Sequence, residues 1–159
     1  MNTATQWDIR LAQPEEAHLL VPLIQALAHE EGSASIPSPE KLVPLIQKII
    51  SEGIGVFFLA VRDGQAFGCL QLNYRFSTWA TTRYAYLEDF YVAPHARGAG
   101  IGTAMIRAAC SYAAQQGCRY VDLDARLDNG DAARLYQRLG FQQSSSVLWR
   151  CPLENAELT

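Results

Sequence analysis

Long apolar runs are missing from this sequence of 159 residues. Even the segment 56–61 is far shorter than a membrane span requires. The first residues, MNTATQWDIRLAQ, also lack the basic start and long apolar stretch of a signal peptide. With 49% hydrophobic and 18% charged residues, the chain can form a packed core. These features predict a single domain over residues 1–159 that contacts no membrane and lies in the cytoplasm.

Residues that commonly bind metals or form disulfides are few and scattered. The four cysteines form no CxxC pair and none has a histidine at a metal-binding interval; they are Cys69, Cys110, Cys118 and Cys151. The three histidines fit no metal or catalytic triad motif. We therefore expect buried free thiols and no metal site.

Lysine is almost absent. Of 13 basic residues only Lys41 and Lys48 are lysines, and the others are arginines, whose forked guanidinium suits carboxylates and phosphates. The net charge of −3 argues against a nucleic-acid partner, because such partners select basic surfaces.

What the sequence does contain is a regular succession of strand and helix patterns. Helices are predicted after Pro14, from Ser38 or Pro39, after the glycines near residue 100, and after Asn129 as the N-cap. Strands are predicted at 7–13, 55–64, 67–76, 82–94, 118–125 and 141–151, with 118–125 buried. The pattern predicts a mixed α/β domain around one sheet, in which a strand–helix–strand crossover over 82–125 links parallel strands.

The segment HARGAGIGTAMI, residues 95–106, lies between a predicted strand and a predicted helix. Free backbone N–H groups at a helix start attract anions, and glycines let a phosphate approach them. A Walker A loop is excluded because no lysine follows the glycines, and GxGxG differs from the Rossmann spacing GxGxxG. A phosphate-binding loop and a plain strand-to-helix turn both remain possible.

Two segments resemble the conserved blocks of one superfamily. YLEDFYVAPHARGAGIGTAMI has its strand, Arg-x-x-Gly-x-Gly loop and helix, and NGDAARLYQRLGF has its second block. The chain from 7 to 150 is thereby similar to the GNAT superfamily of N-acetyltransferases, and within it to the diamine (spermidine/spermine-type) enzymes. The resemblance implies the α/β GNAT fold: a single mixed, mostly antiparallel sheet, flanked by helices and splayed at its central strands. It also implies a homodimer.

The resemblance implies acetyl-CoA as the cosubstrate. Its pyrophosphate would lie on the N–H groups of a loop that begins at Arg97 and comprises Gly98, Ala99, Gly100, Ile101, Gly102 and Thr103. Its pantetheine arm would pair with the backbone of Phe90, Tyr91 and Val92, as in strand addition. The Arg97 side chain could instead brace the fold, and Asn129, a further implied cofactor contact, could be only a helix cap.

The implied reaction is direct acetyl transfer to a primary amine. Tyr136 matches the tyrosine general acid, although a packing role would also explain it. Glu88 is the candidate base, through water, and its alternative is an exposed strand carboxylate. Strand alternation predicts that Glu88 shares a face with Phe90 and Val92. The backbone N–H of Val92 would polarise the thioester carbonyl.

The acceptor amine is predicted from weaker signals. Glu30 and Glu31 match the region where the diamine enzymes hold a distal ammonium, and Trp79 and Trp149 could line the amine pocket. The resulting hypothesis is a small-molecule amine N-acetyltransferase for a polyamine or lysine-like diamine. A peptide or protein N-acetyltransferase and a non-catalytic acetyl-CoA sensor remain alternatives.

Overall fold

The computed structural model describes residues 7–153, so both ends of the predicted domain lie outside the described residues. It divides into two compact units, one through Arg126 and one from Leu127. The first unit contains most of the regular elements. They are β1 (Asp8–Leu11), α1 (Ala17–Glu30), α2 (Pro39–Ser51), β2 (Gly55–Arg62), β3 (Gln65–Ser77), β4 (Thr82–Val92), α3 (Ile101–Gln115) and β5 (Cys118–Leu123).

The five strands of the first unit form one sheet in the order β1-β2-β3-β4-β5. The first four strands are antiparallel, and β5 is parallel to β4, as the predicted crossover requires. A tight hairpin joins β2 to β3, with Asp63 and Gly64 both at positive φ (52° and 76°). The arrangement confirms the predicted fold class for this unit.

Alternation along β2 explains why the sheet carries helices on both faces. Phe57 and Leu59 are buried in the cluster formed with α1 and α2. Phe58, between them in sequence, meets the ring of Tyr112 on α3 with 5.7 Å between centroids. Since successive strand residues face opposite sides, a fully apolar strand is stabilised by burial on both, at roughly 2 kcal/mol for each large side chain.

A bulge interrupts the pairing of β3 with β4. Leu70 pairs with Phe90, but Leu72 pairs with Leu87, so two residues of β4 stand opposite one residue of β3. A bulge of this kind reverses the facing of the side chains beyond it.

The other edge of β4 is only partly covered. Pairing with β5 ends at Leu87 and Leu123, although β4 continues to Val92. Within residues 7–153, no strand pairs with that side of β4 from Glu88 onwards. The sheet is therefore splayed between β4 and β5, with backbone groups of β4 left for another partner.

Two expectations about the later strands were wrong. β5 is half-exposed rather than buried, because it is the last strand of the sheet in the described chain and neighbours a strand on one side only. The predicted strand 141–151 is irregular in the structure. Three successive serines precede Val147, Leu148 and Trp149, which are all exposed, so no buried apolar face holds this segment in an extended pairing.

The second unit contains one regular helix, α4 (Gly130–Arg138). Asn129 caps it as predicted, its side-chain oxygen accepting from the Ala132 N–H at 3.1 Å. Across residues 7–153, no helix has both the length and the apolar character needed to span a membrane. Of the four cysteines, all free, only Cys69 is fully buried, which corrects the expectation that the thiols are buried.

Candidate active site

The glycine loop presents a row of backbone donors at the start of α3. Gly98 and Gly100 have φ of +81° and +77°, a conformation that L side chains rarely adopt. The first helical hydrogen bond runs from the Ala104 N–H to the Gly100 carbonyl at 3.0 Å. In the described chain, the N–H groups of residues 98–103 have no acceptor. These groups, together with the helix dipole, form an anion-binding arrangement.

A Cβ added at Gly98 or Gly100 would meet no atom within 4 Å. The open side of the loop is therefore free of protein atoms at the points where a ligand would approach. This opening fits a pyrophosphate, which needs several N–H donors at close range.

The Arg97 side chain turns back toward the sheet. Its Nε donates to the Val92 carbonyl oxygen at 2.8 Å, and its Nη2 donates to both carboxylate oxygens of Glu30 at 3.0 and 2.7 Å. Its guanidinium also lies over the ring of Tyr91, 5.5 Å from the centroid. The bracing interpretation of Arg97 thus describes its contacts in this structure.

Hydrogen bonding alternates along the end of β4. The Ala93 N–H donates to the Phe67 carbonyl on the β3 side at 2.8 Å. Because only alternate residues of an antiparallel strand face a given neighbour, Tyr91 also presents its backbone groups to β3. Phe90 and Val92 present theirs to the splayed side, where Arg97 occupies the Val92 carbonyl.

Glu88 lies beside polar side chains of β3. Its carboxylate accepts hydrogen bonds from Asn73 Nδ2 at 3.4 Å and Arg75 Nη2 at 3.3 Å. The prediction that Glu88 shares a face with Phe90 and Val92 was wrong. The bulge breaks the alternation, which leaves Glu88 on the Asn73 face and Phe90 on the opposite one.

Asp89, the second residue of the bulge, is largely removed from solvent. Burial, and then the neighbouring charge of Glu88, raise the pKa of the Asp89 carboxyl above its ordinary value. Perturbed acids of this kind are frequent at functional sites.

A second group of interacting side chains lies beside Glu88 and was not predicted from the sequence. The Tyr86 hydroxyl donates to the Asp124 carboxylate, and the Arg75 guanidinium lies 3.7 Å from the Tyr86 ring centroid. Burial and this hydrogen bond raise the pKa of the Tyr86 phenol, which stays protonated. A signal was present: the crossover predicted over 82–125 places Asp124, just after β5, next to the parallel strand that contains Tyr86.

The residues predicted for the acceptor lie in different surroundings. Glu30 is paired with Arg97, and a Glu31 oxygen lies 3.6 Å from Arg126 Nη1. Trp79, in the β3–β4 turn, is 96% exposed, and Trp149 is 88% exposed.

Tyr136 belongs to α4 in the second unit, where its ring packs edge-on against Phe141 with 5.7 Å between centroids. Burial raises the pKa of the phenol, so Tyr136 is protonated at neutral pH and able to donate.

Comparison with known proteins identifies the family. The profile of the acetyltransferase (GNAT) family matches residues 23–141. The chain belongs to the GNAT family. It is therefore an acetyltransferase, and its mostly antiparallel five-stranded sheet flanked by helices matches GNAT structural neighbours.

Individual relatives agree with this assignment. The chain is 27% identical over 144 residues to the uncharacterised N-acetyltransferase YhfO of Bacillus subtilis, covering 91% of this GNAT chain and 95% of that protein. It is 32% identical over 107 residues to an aminoglycoside N(6')-acetyltransferase type 1 of Acinetobacter haemolyticus, covering 65% and 74%. It is 40% identical over 84 residues to the thialysine N-epsilon-acetyltransferase of Mus musculus, covering 50% and 49%. A crystal structure of a probable acetyltransferase superposes with a TM-score of 0.82 at 26% identity, covering 92% and 97%.

Proposed function

We propose that this GNAT enzyme transfers the acetyl group of acetyl-CoA directly to a primary amine of a small molecule. The observation that carries the proposal is the continuity of two binding elements. The splayed edge of β4 ends at Val92, and the open row of N–H groups begins at Gly98, after a short connection. A cosubstrate with amide groups in its arm and a pyrophosphate at its far end matches that order.

The residues fit acetyl-CoA at both elements. The pyrophosphate is assigned to the N–H groups of residues 98–103, because the space beside Gly98 and Gly100 is free of protein atoms. The pantetheine arm is assigned to the backbone groups of Phe90, which face the splay. Val92, whose carbonyl is held by Arg97, would contact the thioester end through its N–H, and Tyr91 lies between them on β4. Asn129 is proposed as a further contact through its NH₂ group, since its side-chain oxygen is used by the helix cap.

Acetyl-CoA, when bound, supplies an acetyl group activated as a thioester. Glu88 is proposed to take the proton from the acceptor amine through a water molecule, so that the nitrogen can form the new C–N bond. The Val92 N–H is proposed to donate to the carbonyl oxygen as it gains charge. Tyr136 is proposed to give its proton to the sulfur as the C–S bond breaks.

A cationic acceptor suits the charges near Glu88. Asp89 and Asp124 add two carboxyl groups to its neighbourhood, which together with Glu88 itself outnumber the single guanidinium of Arg75. The chain as a whole is also acidic, with a sequence pI of about 5.6. The aminoglycoside and thialysine enzymes among the relatives are named for small amine compounds. We therefore propose a diamine, polyamine or lysine-like acceptor, with Glu31 toward its distal ammonium and Trp79 and Trp149 at the mouth of its pocket.

Three further features are proposed. Residues 1–159 form a single N-acetyltransferase domain, which is supported by a family profile that runs across the boundary between the two units. The enzyme acts in the cytoplasm and is a homodimer, as the sequence resemblance implies.

A coupled assay tests the function. Purified protein is mixed with acetyl-CoA and separate amines: a monoamine, linear diamines, polyamines, a lysine analogue, an aminoglycoside and lysine-containing peptides. Free thiol is followed with a chromogenic disulfide, and the acetylated product is identified by mass spectrometry. We expect the fastest release with a diamine or lysine-like amine and a single added acetyl group. Release with peptides alone would refute the small-molecule proposal, and coenzyme A binding without release from any amine would indicate a sensor.

A further inference from the structure

One side chain joins the two halves of the proposed cosubstrate site. Arg97 is the residue before Gly98, and through its Nε it holds the last carbonyl of β4, that of Val92. The same peptide group is held from its other side, because the Ala93 N–H donates to the Phe67 carbonyl. The Val92–Ala93 peptide is thus fixed at both of its polar atoms.

Glu30 holds Arg97 in this position. Both carboxylate oxygens of Glu30, at the end of α1, accept from Arg97 Nη2, which leaves Nε directed at Val92. A guanidinium can serve two acceptors at once because its donors are fixed in one plane. The carboxylate charge is correspondingly balanced by Arg97.

We infer that Glu30 is a positioning residue for the acetyl-CoA site, acting through Arg97, and that it is not the ligand of a distal ammonium group of the acceptor. The inference rests on the proposed function. It differs from what the sequence resemblance implies for Glu30, because the carboxylate is already satisfied by a protein cation.

The length of acetyl-CoA explains why this contact matters. The cosubstrate spans a set distance between its thioester carbonyl and its pyrophosphate, so the Val92 N–H and the loop must be held at a matching separation. Between them lies a single 3-10 turn, Pro94–Ala96. The hydrogen bond from the Arg97 side chain to the Val92 carbonyl links the two ends of this turn. It also leaves that carbonyl oxygen less available to another donor. The free edge then offers the Phe90 backbone groups to the pantetheine arm and the Val92 N–H to the thioester carbonyl.

The test uses Glu30→Gln, Arg97→Gln, Arg97→Lys and the double variant of the two glutamine changes. The matched control is Asp8→Asn, which removes a carboxylate from another exposed arginine pair, with Arg10 on β1. Coenzyme A affinity is measured by calorimetry, and steady-state constants are measured separately for acetyl-CoA, a diamine and a monoamine. Hydrogen exchange of the Ala93 amide is measured by NMR without ligand.

We expect Glu30→Gln and Arg97→Gln each to weaken coenzyme A binding and raise the KM for acetyl-CoA about five-fold, and to speed Ala93 exchange by a similar factor. The double variant should lose little more than either single one, since both remove one linked contact. Arg97→Lys should bind coenzyme A as weakly as Arg97→Gln, because one ammonium group cannot reproduce the forked hydrogen bonding of the guanidinium. Asp8→Asn should match the parent protein in every measurement.

The inference is overturned if Glu30→Gln raises the KM for the diamine but not for the monoamine, with acetyl-CoA constants unchanged, because Glu30 then contacts the acceptor. It is also overturned if the two single effects add, or if Ala93 exchange is unaltered in Arg97→Gln. Failure of the proposed function has a different signature: the parent protein would release no thiol with any amine, whereas the exchange measurement would still report on the pair.

Discussion

Replacement of Gly100 by alanine separates the ligand-binding role of the loop from its folding role. Gly100 has a φ of +77°, and an added Cβ would meet no atom within 4 Å. The free protein therefore loses only conformational energy, about 1–2 kcal/mol for an alanine in the left-handed region. No packing term is added, because nothing in the described chain is displaced.

The bound state should lose more. The methyl group stands on the open side of the loop, next to the row of N–H groups assigned to the pyrophosphate. Loss of one hydrogen bond to a charged group costs about 1.5–3 kcal/mol, so coenzyme A affinity should fall by a factor of about 10 to 150.

Gly64→Ala is the matched control. Gly64 has a φ of +76° in the β2–β3 hairpin, and a Cβ there also meets nothing within 4 Å. Both variants should lose similar stability in urea unfolding, but only Gly100→Ala should lose coenzyme A affinity by calorimetry. If Gly100→Ala binds coenzyme A as the parent protein does, the loop is a structural turn and the pyrophosphate assignment is wrong.

Three other variants test catalysis, charge and packing. Tyr136→Phe should lower kcat about 100-fold with coenzyme A affinity within two-fold, and an unchanged kcat would contradict the general-acid role. Arg10 and a backbone N–H lower the pKa of Glu16 to about 2 from an ordinary 4.5, so its stabilisation is present above pH 4.5 and is lost as the pH falls toward 2. Glu16→Gln should therefore cost about 1 kcal/mol in urea unfolding at pH 7, allowing for screening, and less at pH 3; an equal cost at both would exclude this linkage. Ile46→Ala on α2, at 1% exposure, should cost about 2–4 kcal/mol, whereas Leu45→Ala, at 52%, should cost far less.

Much of the architecture could be predicted because its signals are local. Asp63-Gly64 marks a hairpin, Asn129 marks a helix start, and glycines mark the loop before α3. Each of these residues is selected by the backbone conformation at its own position, so a single sequence is enough to locate it. The helices and strands predicted before Arg126 are accordingly present in the structure, although β5 is half-exposed and β4 contains a bulge.

The bulge in β4 could not be predicted in the same way. The segment YLEDFYV is compatible with a regular strand, and nothing in it shows that two residues of β4 lie opposite one residue of β3. Register is a property of two strands, and the facing of Glu88 follows from register. Glu88 was therefore predicted on the strand where the structure has it but on the wrong face, and its role as the base stays a prediction.

The acidic residues at the end of α1 show why the partner of a charged group could not be predicted from the sequence. Glu30 and Glu31 place negative charge at the C-terminal end of a helix, where it opposes the helix dipole. Such a pair is a genuine sequence signal that a cation lies nearby, and an ammonium on a substrate is one solution. For Glu30 the structure contains another solution, because Arg97 approaches it from a segment 67 residues away along the chain. A charge pattern read from the sequence can indicate that a partner is needed, but only the fold determines whether the protein or its ligand supplies it.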